Sequence, residues 1–156
     1  SDWSKGAESD HDRPIGSRGK RSAKELAGFL RSKEIQADMV FVSDSKRTLQ
    51  TFKSIKKRHT ISQKIIVSNE VYLADKEALL EIIKKIDELK NSALILGHNP
   101  SLEDFACYLI GEGNRVFAKF PTASFLTLQL DIDSWIEISE GCGKILQFWI
   151  PKKESL

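Results

Sequence analysis

Three short runs of uninterrupted apolar residues set the fold class of this chain: Met39-Val40-Phe41-Val42, Ile65-Ile66-Val67 and Ala93-Leu94-Ile95-Leu96. A strand with apolar side chains on both faces suits a parallel sheet covered on both sides by helices. The stretches between these runs have helical periodicity instead. Over 17–33 the spacing of Ala23, Leu26, Ala27 and Leu30 makes one buried stripe. Over 45–58, Leu49, Phe52 and Ile55 are expected inside, with Lys46, Lys53, Lys56 and Lys57 outside. Asp75 is placed to cap a helix carrying Leu79, Leu80, Ile82, Ile83, Ile86 and Leu89, which Asn91 is suited to end. Ser101 and Asp104 open a last helix in a near capping-box arrangement, with Leu102, Phe105, Ala106 and Leu109 facing the sheet. Two late strands are expected over 125–130 and 144–150. Alternating strands and helices predict an α/β fold, a single three-layer α/β/α domain over 1–156 with a mostly parallel central sheet.

A chain of 156 residues is long enough to bury a core of its own without disulfides or metals. No apolar run approaches the roughly 20 residues of a membrane-spanning helix. The polar opening SDWSKGAESDHDRP contains no apolar signal segment, so a cytoplasmic protein without a membrane partner is expected. Cys107 lies in an apolar helical pattern and Cys142 between two glycines, without metal-ligand spacing, which favours buried thiol and turn roles. A formal net charge of +2 is too small to argue for nucleic acid, and the 53–58 region lacks interleaved aromatics. Local concentrations of Lys and Arg still suit an anionic substrate. A monomer is expected.

Ligands of open α/β sheets bind outside the carboxyl ends of the strands, which directs attention to 43–47, 69–72 and 97–100. His98 follows an apolar strand in a Gly-His-Asn-Pro turn just before a helix amino terminus, where backbone N–H groups favour an anion. A histidine bonded only to a nearby carbonyl fits the same position. Arg47 begins a helix, where its charge opposes the dipole unless an anion or a carboxylate compensates. Its planar fork matches a phosphoryl group, although a solvated arginine on a basic helix is the commoner case. Glu70 is the candidate general acid by position, or else an exposed loop carboxylate. His59 is expected to interact with a helix dipole, and His11 to lie on the surface.

These segments together resemble the histidine phosphatase superfamily. Ser9-Asp10-His11-Asp12-Arg13-Pro14-Ile15, with Arg18-Gly19 beyond, is similar to the corresponding segment of the short SixA-type phosphohistidine phosphatases. Ser43-Asp44-Ser45-Lys46-Arg47-Thr48-Leu49-Gln50-Thr51 is similar to the family's SxxxRTxQT pattern, and Gly97-His98-Asn99-Pro100 to its second histidine motif. Phe120-Pro121-Thr122-Ala123 and Trp149-Ile150-Pro151-Lys152 also resemble that subgroup. The motifs are in the family's order along nearly the whole chain. The family's Arg-His pair is missing, and the match starts with Ser1-Asp2-Trp3-Ser4, which looks like the stretch directly after it. A first strand ending in that pair is therefore expected ahead of Ser1.

The resemblance implies a histidine-phosphatase (phosphoglycerate-mutase-like) fold and two-step phosphoryl transfer through a phosphohistidine enzyme, without cofactor or metal. The upstream histidine would attack phosphorus. The upstream arginine, Arg47 and His98 would stabilise the transferring group, Glu70 would act as acid, and Ser1, Ser4 and Asn99 would bind substrate. The implied partner is a protein bearing phosphohistidine, or a small phosphorylated substrate. A non-catalytic phosphate- or phosphoprotein-binding module is the alternative of another class.

Overall fold

The first apolar run forms strand β1 (Met39–Ser43), buried along its whole length because its side chains are apolar on both faces. The structure is a computed structural model describing residues 9–111 and 119–152. β1 is the centre of a parallel sheet, between β2 (Ile65–Ser68) and β3 (Ala93–Leu96). Val40 is opposite Ile65 on one side and Leu94 on the other; Val42 is opposite Val67 and Leu96. Among the described residues, β3 has a strand on one edge only. The fold is α/β, as the sequence pattern predicts.

The chain falls into two compact units, and this sheet belongs to the first, Ser1–Leu73 with Asn91–Gly97. Helix α1 (Ser17–Ser32) buries Ala23, Leu26, Ala27 and Leu30, the stripe expected from its spacing. It packs on α2 (Lys46–Lys56), which buries Thr48, Phe52 and Ile55. Fully burying a side chain such as Leu30 or Ile55 contributes about 1.5–3 kcal/mol relative to leaving it exposed. Leu49 corrects the inward set expected for α2, because it is 37% exposed while Thr48 takes the buried place beside it. A short helix, α3 (Asn69–Leu73), starts directly from the end of β2 and packs Val71 inward. Its five residues are too few for a helical period to be visible in sequence.

The second unit comprises Ala74–Lys90 and His98–Leu156. Asp75 caps α4 (Lys76–Lys84) by accepting from the Ala78 N–H, as its position predicted. That helix stops well before Asn91. Leu89, expected inside, is 85% exposed, because the chain turns there on Asp87, whose carboxylate accepts from the Leu89 N–H. In α5 (Ser101–Ile110), Phe105, Ala106 and Leu109 are buried, but Ser101 is already helical and Pro100 is the cap, without a side-chain bond. Gly111 ends α5 at φ 103°, and a Cβ there would meet the Gly141 backbone at 3.3 Å. The late strands β4 (Phe125–Leu130) and β5 (Gly143–Trp149) form an antiparallel pair of their own. No helix among the described residues is long and apolar enough to cross a membrane.

The turn from β1 into α2 depends on Ser45, whose buried Oγ accepts from the Thr48 N–H and lies 2.7 Å from Thr48 Oγ1. Ser45→Ala removes this cap and is expected to cost about 0.5–2 kcal/mol in urea unfolding. A loss below a few tenths of a kcal/mol would mean that the cap is not what holds the turn.

Candidate functional site

Each polar residue after β1 has a separate task. The Ser43 hydroxyl accepts from the Ser45 N–H (3.2 Å), and the Thr51 hydroxyl donates to the Arg47 carbonyl (3.0 Å). Gln50 accepts from the Ile15 N–H (2.8 Å) and so ties the opening loop to α2. Arg47 is thereby fixed in the first turn of α2, where a positive charge opposes the helix dipole.

A carboxylate compensates it. Arg47 donates through Nη1 to the Asp10 carbonyl (2.9 Å) and through Nη2 to Asp10 Oδ2 (3.2 Å). Arg13 donates to Asp10 Oδ1 (3.0 Å), and the Tyr72 hydroxyl to Asp10 Oδ2 (2.7 Å). Asp10 thus binds two guanidinium groups and a phenol, joining the 310 turn Asp10–Asp12 to α2 and α3. The Tyr72 hydrogen bond, followed by the charge and hydrogen bonds of Arg47 and Arg13, holds the Asp10 carboxyl below its ordinary range despite some desolvation. The same bond raises Tyr72.

His11 forms the second connection. Its Nε2 lies 2.7 Å from Asp44 Oδ1 and its Nδ1 3.3 Å from Asp12 Oδ1, while Tyr72 meets its ring edge-on at 4.8 Å. The Asp44 hydrogen bond, then that of Asp12, raises the His11 pKa, because both favour the imidazolium. Desolvation raises Asp44, but hydrogen bonds from His11 and Asn69 outweigh it, so the carboxyl is lowered overall. The surface position expected for His11 is therefore only half the account: the ring is partly exposed, yet bonded to the end of β1. His59 follows the carboxyl end of α2, where its N–H donates to the Ile55 carbonyl (2.9 Å), and its ring Nε2 lies 2.6 Å from the Ile35 carbonyl.

Glu70 occupies the first turn of α3 in an exposed position, and its N–H donates to Ser68 Oγ (3.0 Å). Arg47 and Glu70 belong to the first unit, His98 and Asn99 to the second. His98 is half-buried directly before α5, and its carbonyl accepts from the Leu102 N–H (2.9 Å). The Asn99 amide donates to the Phe120 carbonyl (3.1 Å), while Glu103 accepts from the Phe120 N–H. Asn99 therefore anchors the Phe120 segment, a structural task beside the substrate-binding one expected. Ser1 and Ser4 lie outside the described residues. No three His, Cys, Asp or Glu side chains gather as a metal site among the described residues.

Sequence reasoning missed Asp10, Asp44 and Tyr72. A signal for Asp10 was present, since Arg47 at a helix start called for a carboxylate, but its partner is 37 residues away.

The raised His11 pKa gives a pH dependence of defined sign. The imidazolium ties contribute stability fully below the ordinary value of 6.5 and lose it as pH rises through the higher folded-state value. The melting-temperature gap between wild type and His11→Asn should therefore shrink from pH 6 to pH 9, and the His11 ring should titrate by NMR above 6.5. A gap that widens with pH would contradict the pairing.

Residues 1–71 match the family model of the histidine phosphatase superfamily (branch 1). Uncharacterised proteins of Mycobacterium tuberculosis and Mycobacterium leprae are 28% and 27% identical to the chain, each over 92% of it and over 92% and 89% of their own lengths. Among solved structures, the candidate phosphohistidine phosphatase SixA of Nakamurella multipartitia aligns with TM-score 0.80 at 21% identity, over 93% of this chain and 88% of its own. The corresponding Agrobacterium tumefaciens structure gives 0.78 at 24% identity, over 94% and 88%. A protein histidine phosphatase SixA complexed with tungstate gives 0.75 at 21% identity, over 92% and 87%. The first 71 residues are thus similar to the histidine phosphatase superfamily (branch 1), and the fold of the chain is that of the SixA structures.

Proposed function

We propose that this protein is a cytoplasmic phosphohydrolase acting through a phosphorylated enzyme histidine, with protein-borne phosphohistidine as its substrate. The observation that carries this reading is Arg47, held after the carboxyl end of β1 with one arm of its fork on an oxyanion, the Asp10 carboxylate, and the other on the Asp10 carbonyl. A guanidinium fixed in this way loses little further freedom when it meets phosphoryl oxygens.

The reading takes the chain as one domain that receives a strand ending in Arg-His ahead of Ser1. We assign that strand to the outer edge of β3, whose four residues are all apolar and which has no strand partner there among the described residues. The upstream histidine attacks phosphorus as the P–N bond to the substrate imidazole breaks, and the departing nitrogen takes up a proton. Arg47 and His98 stabilise charge on the equatorial oxygens in this transfer. Ser1, Ser4 and Asn99 contribute hydrogen bonds to the substrate. Water then cleaves the P–N bond of the phosphoenzyme and releases phosphate.

The position of Glu70 bears on the leaving group. An ester oxygen needs an enzyme acid, whereas a phosphoramidate nitrogen is protonated readily from water. Glu70 is exposed and has no side-chain partner among the described residues, which favours the substrate that depends on it less.

In protein carrying the Arg-His pair, Arg47→Ala or His98→Ala should lower turnover of a phosphohistidine protein by roughly 10²–10³-fold, the effect of removing one such donor. Vanadate should inhibit, a chelator should not, and an acid-labile phosphoenzyme should accumulate. The chain beginning at Ser1 should bind vanadate without hydrolysing substrate. Near-normal turnover in both variants, or robust activity of the shorter chain, would refute the assignment.

A further inference from the structure

The outward face of α2 carries charge that the chemistry at Arg47 does not require. Residues 9–64 hold fourteen Lys or Arg against six Asp or Glu, a local balance of +8 in a chain of formal net charge +2. Twelve of those fourteen basic residues are exposed. On α2, Lys46, Leu49 and Lys53 recur at intervals of three and four residues and so share one face.

An open depression of about 380 Å³ lies on this face, lined by Lys46, Leu49, Gln50 and Lys53 together with His11, Asp12 and Asp44. Both of its carboxylates are bonded to His11, which together with Lys46 and Lys53 makes the lining positive when the imidazole is protonated. Leu49 lies between the two lysines as an apolar contact point. From Lys46 to Lys53 the face runs about 10 Å, the reach of three or four residues of extended peptide.

The chemistry of the face selects among anionic partners. Phe29, Phe41 and Phe52 are not exposed, and the one ring lining the depression, His11, is held by Asp12, Asp44 and Tyr72, so the face lacks the row of free rings on which successive nucleic-acid bases stack. Leu49 is the one exposed large apolar residue described there, too little to anchor a helix in a lipid surface. An acidic protein segment with one apolar side chain fits both the lysines and the leucine.

We propose that the Lys46–Leu49–Lys53 face of α2 docks an Asp/Glu-rich segment of the phosphoprotein substrate, seating an apolar side chain of that segment against Leu49. This rests on the phosphoprotein reading above and names the surface that recognises the carrier. Arg47 lies on the same helix turn as Lys46, so a segment held here brings its phosphoryl group to the neighbourhood of that arginine.

The test uses a fluorescein-labelled Asp/Glu-rich peptide with a central leucine, its Asn/Gln counterpart, a single-stranded oligonucleotide and vesicles of anionic lipid. Binding is read by anisotropy, or by sedimentation for vesicles, at two salt concentrations. Vanadate binding is measured in parallel. The acidic peptide should bind more tightly than its neutral counterpart, the more so at low salt. The double variant Lys46→Glu/Lys53→Glu should weaken it by about tenfold or more, and Leu49→Ala by less, while vanadate binding persists. Lys46→Glu is favourable at the helix start, Lys53→Glu in the last turn opposes the dipole only modestly at an exposed position, and alanine is a strong helix former, so the variants should fold. Unchanged peptide binding in the double variant, or tighter binding of the oligonucleotide or the vesicles than of the peptide, would overturn the proposal. Charge-dependent peptide binding without any vanadate binding would support the docking face and remove the catalytic reading alone.

Discussion

A positive charge in the first turn of a helix needs a negative one to answer it, and in this protein Asp10 answers Arg47. Much of the first unit's polar architecture is arranged around that pair. Arg13 and Tyr72 bind the same carboxylate, so one side chain joins the 10–12 turn to α2 and α3. His11, next in sequence, extends the connection to Asp44 at the end of β1. The opening loop is further secured by Gln50, one turn beyond Arg47 on α2. Two turns of sequence that follow different strands thus depend on a segment ahead of α1.

Apolar pattern made the scaffold legible. β1, β2 and β3 fall where the uninterrupted apolar runs are, and the buried stripe of α1 follows its spacing residue for residue. Burial dominates along β1 and the α1 stripe, where it leaves its trace in the sequence, while in β2 Ile65 and Val67 are exposed despite the apolar run. The trace weakens at the flank of a stripe. Leu49 has the spacing of an inward residue, but the hydroxyls of Ser45 and Thr48 bond each other beneath the first turn, and the buried place belongs to Thr48. Leu89 misleads for another reason, since it lies past the end of α4, where Asp87 holds the chain in a turn and periodicity no longer applies.

The candidate site was legible in part. Position after a strand and the electrostatic cost of a helix-start arginine singled out Arg47, and a Gly-His-Asn-Pro turn before a helix singled out His98. The groups that hold Arg47 were not legible, because their contacts span long separations and carry no period. Tyr72 and Asp10 are 62 residues apart, and α3, which presents Tyr72, is a five-residue helix. Asn99 shows the converse: a motif residue expected at the substrate has a backbone carbonyl to hold, that of Phe120.

The Asp10–Arg47 pair also bears on how a phosphoryl group would be handled. With its carboxyl lowered by Tyr72 and the two arginines, Asp10 stays ionised throughout the neutral range and is not displaced by protonation. Under the proposed function, an incoming phosphoryl group would therefore meet an arginine whose charge is already partly balanced. Its ground-state attraction is weaker than that of a bare guanidinium, and the same holds for the phosphate left after hydrolysis. Orientation is unaffected, because the hydrogen bonds to Asp10 fix the guanidinium plane. Catalysis gains from interactions that strengthen in the transition state rather than from tight binding of substrate or product. A positioned, partly neutralised arginine serves that requirement. On that proposal, affinity for a protein substrate would have to be supplied elsewhere, and the exposed lysines of α2 lie one residue and two turns away along the same helix.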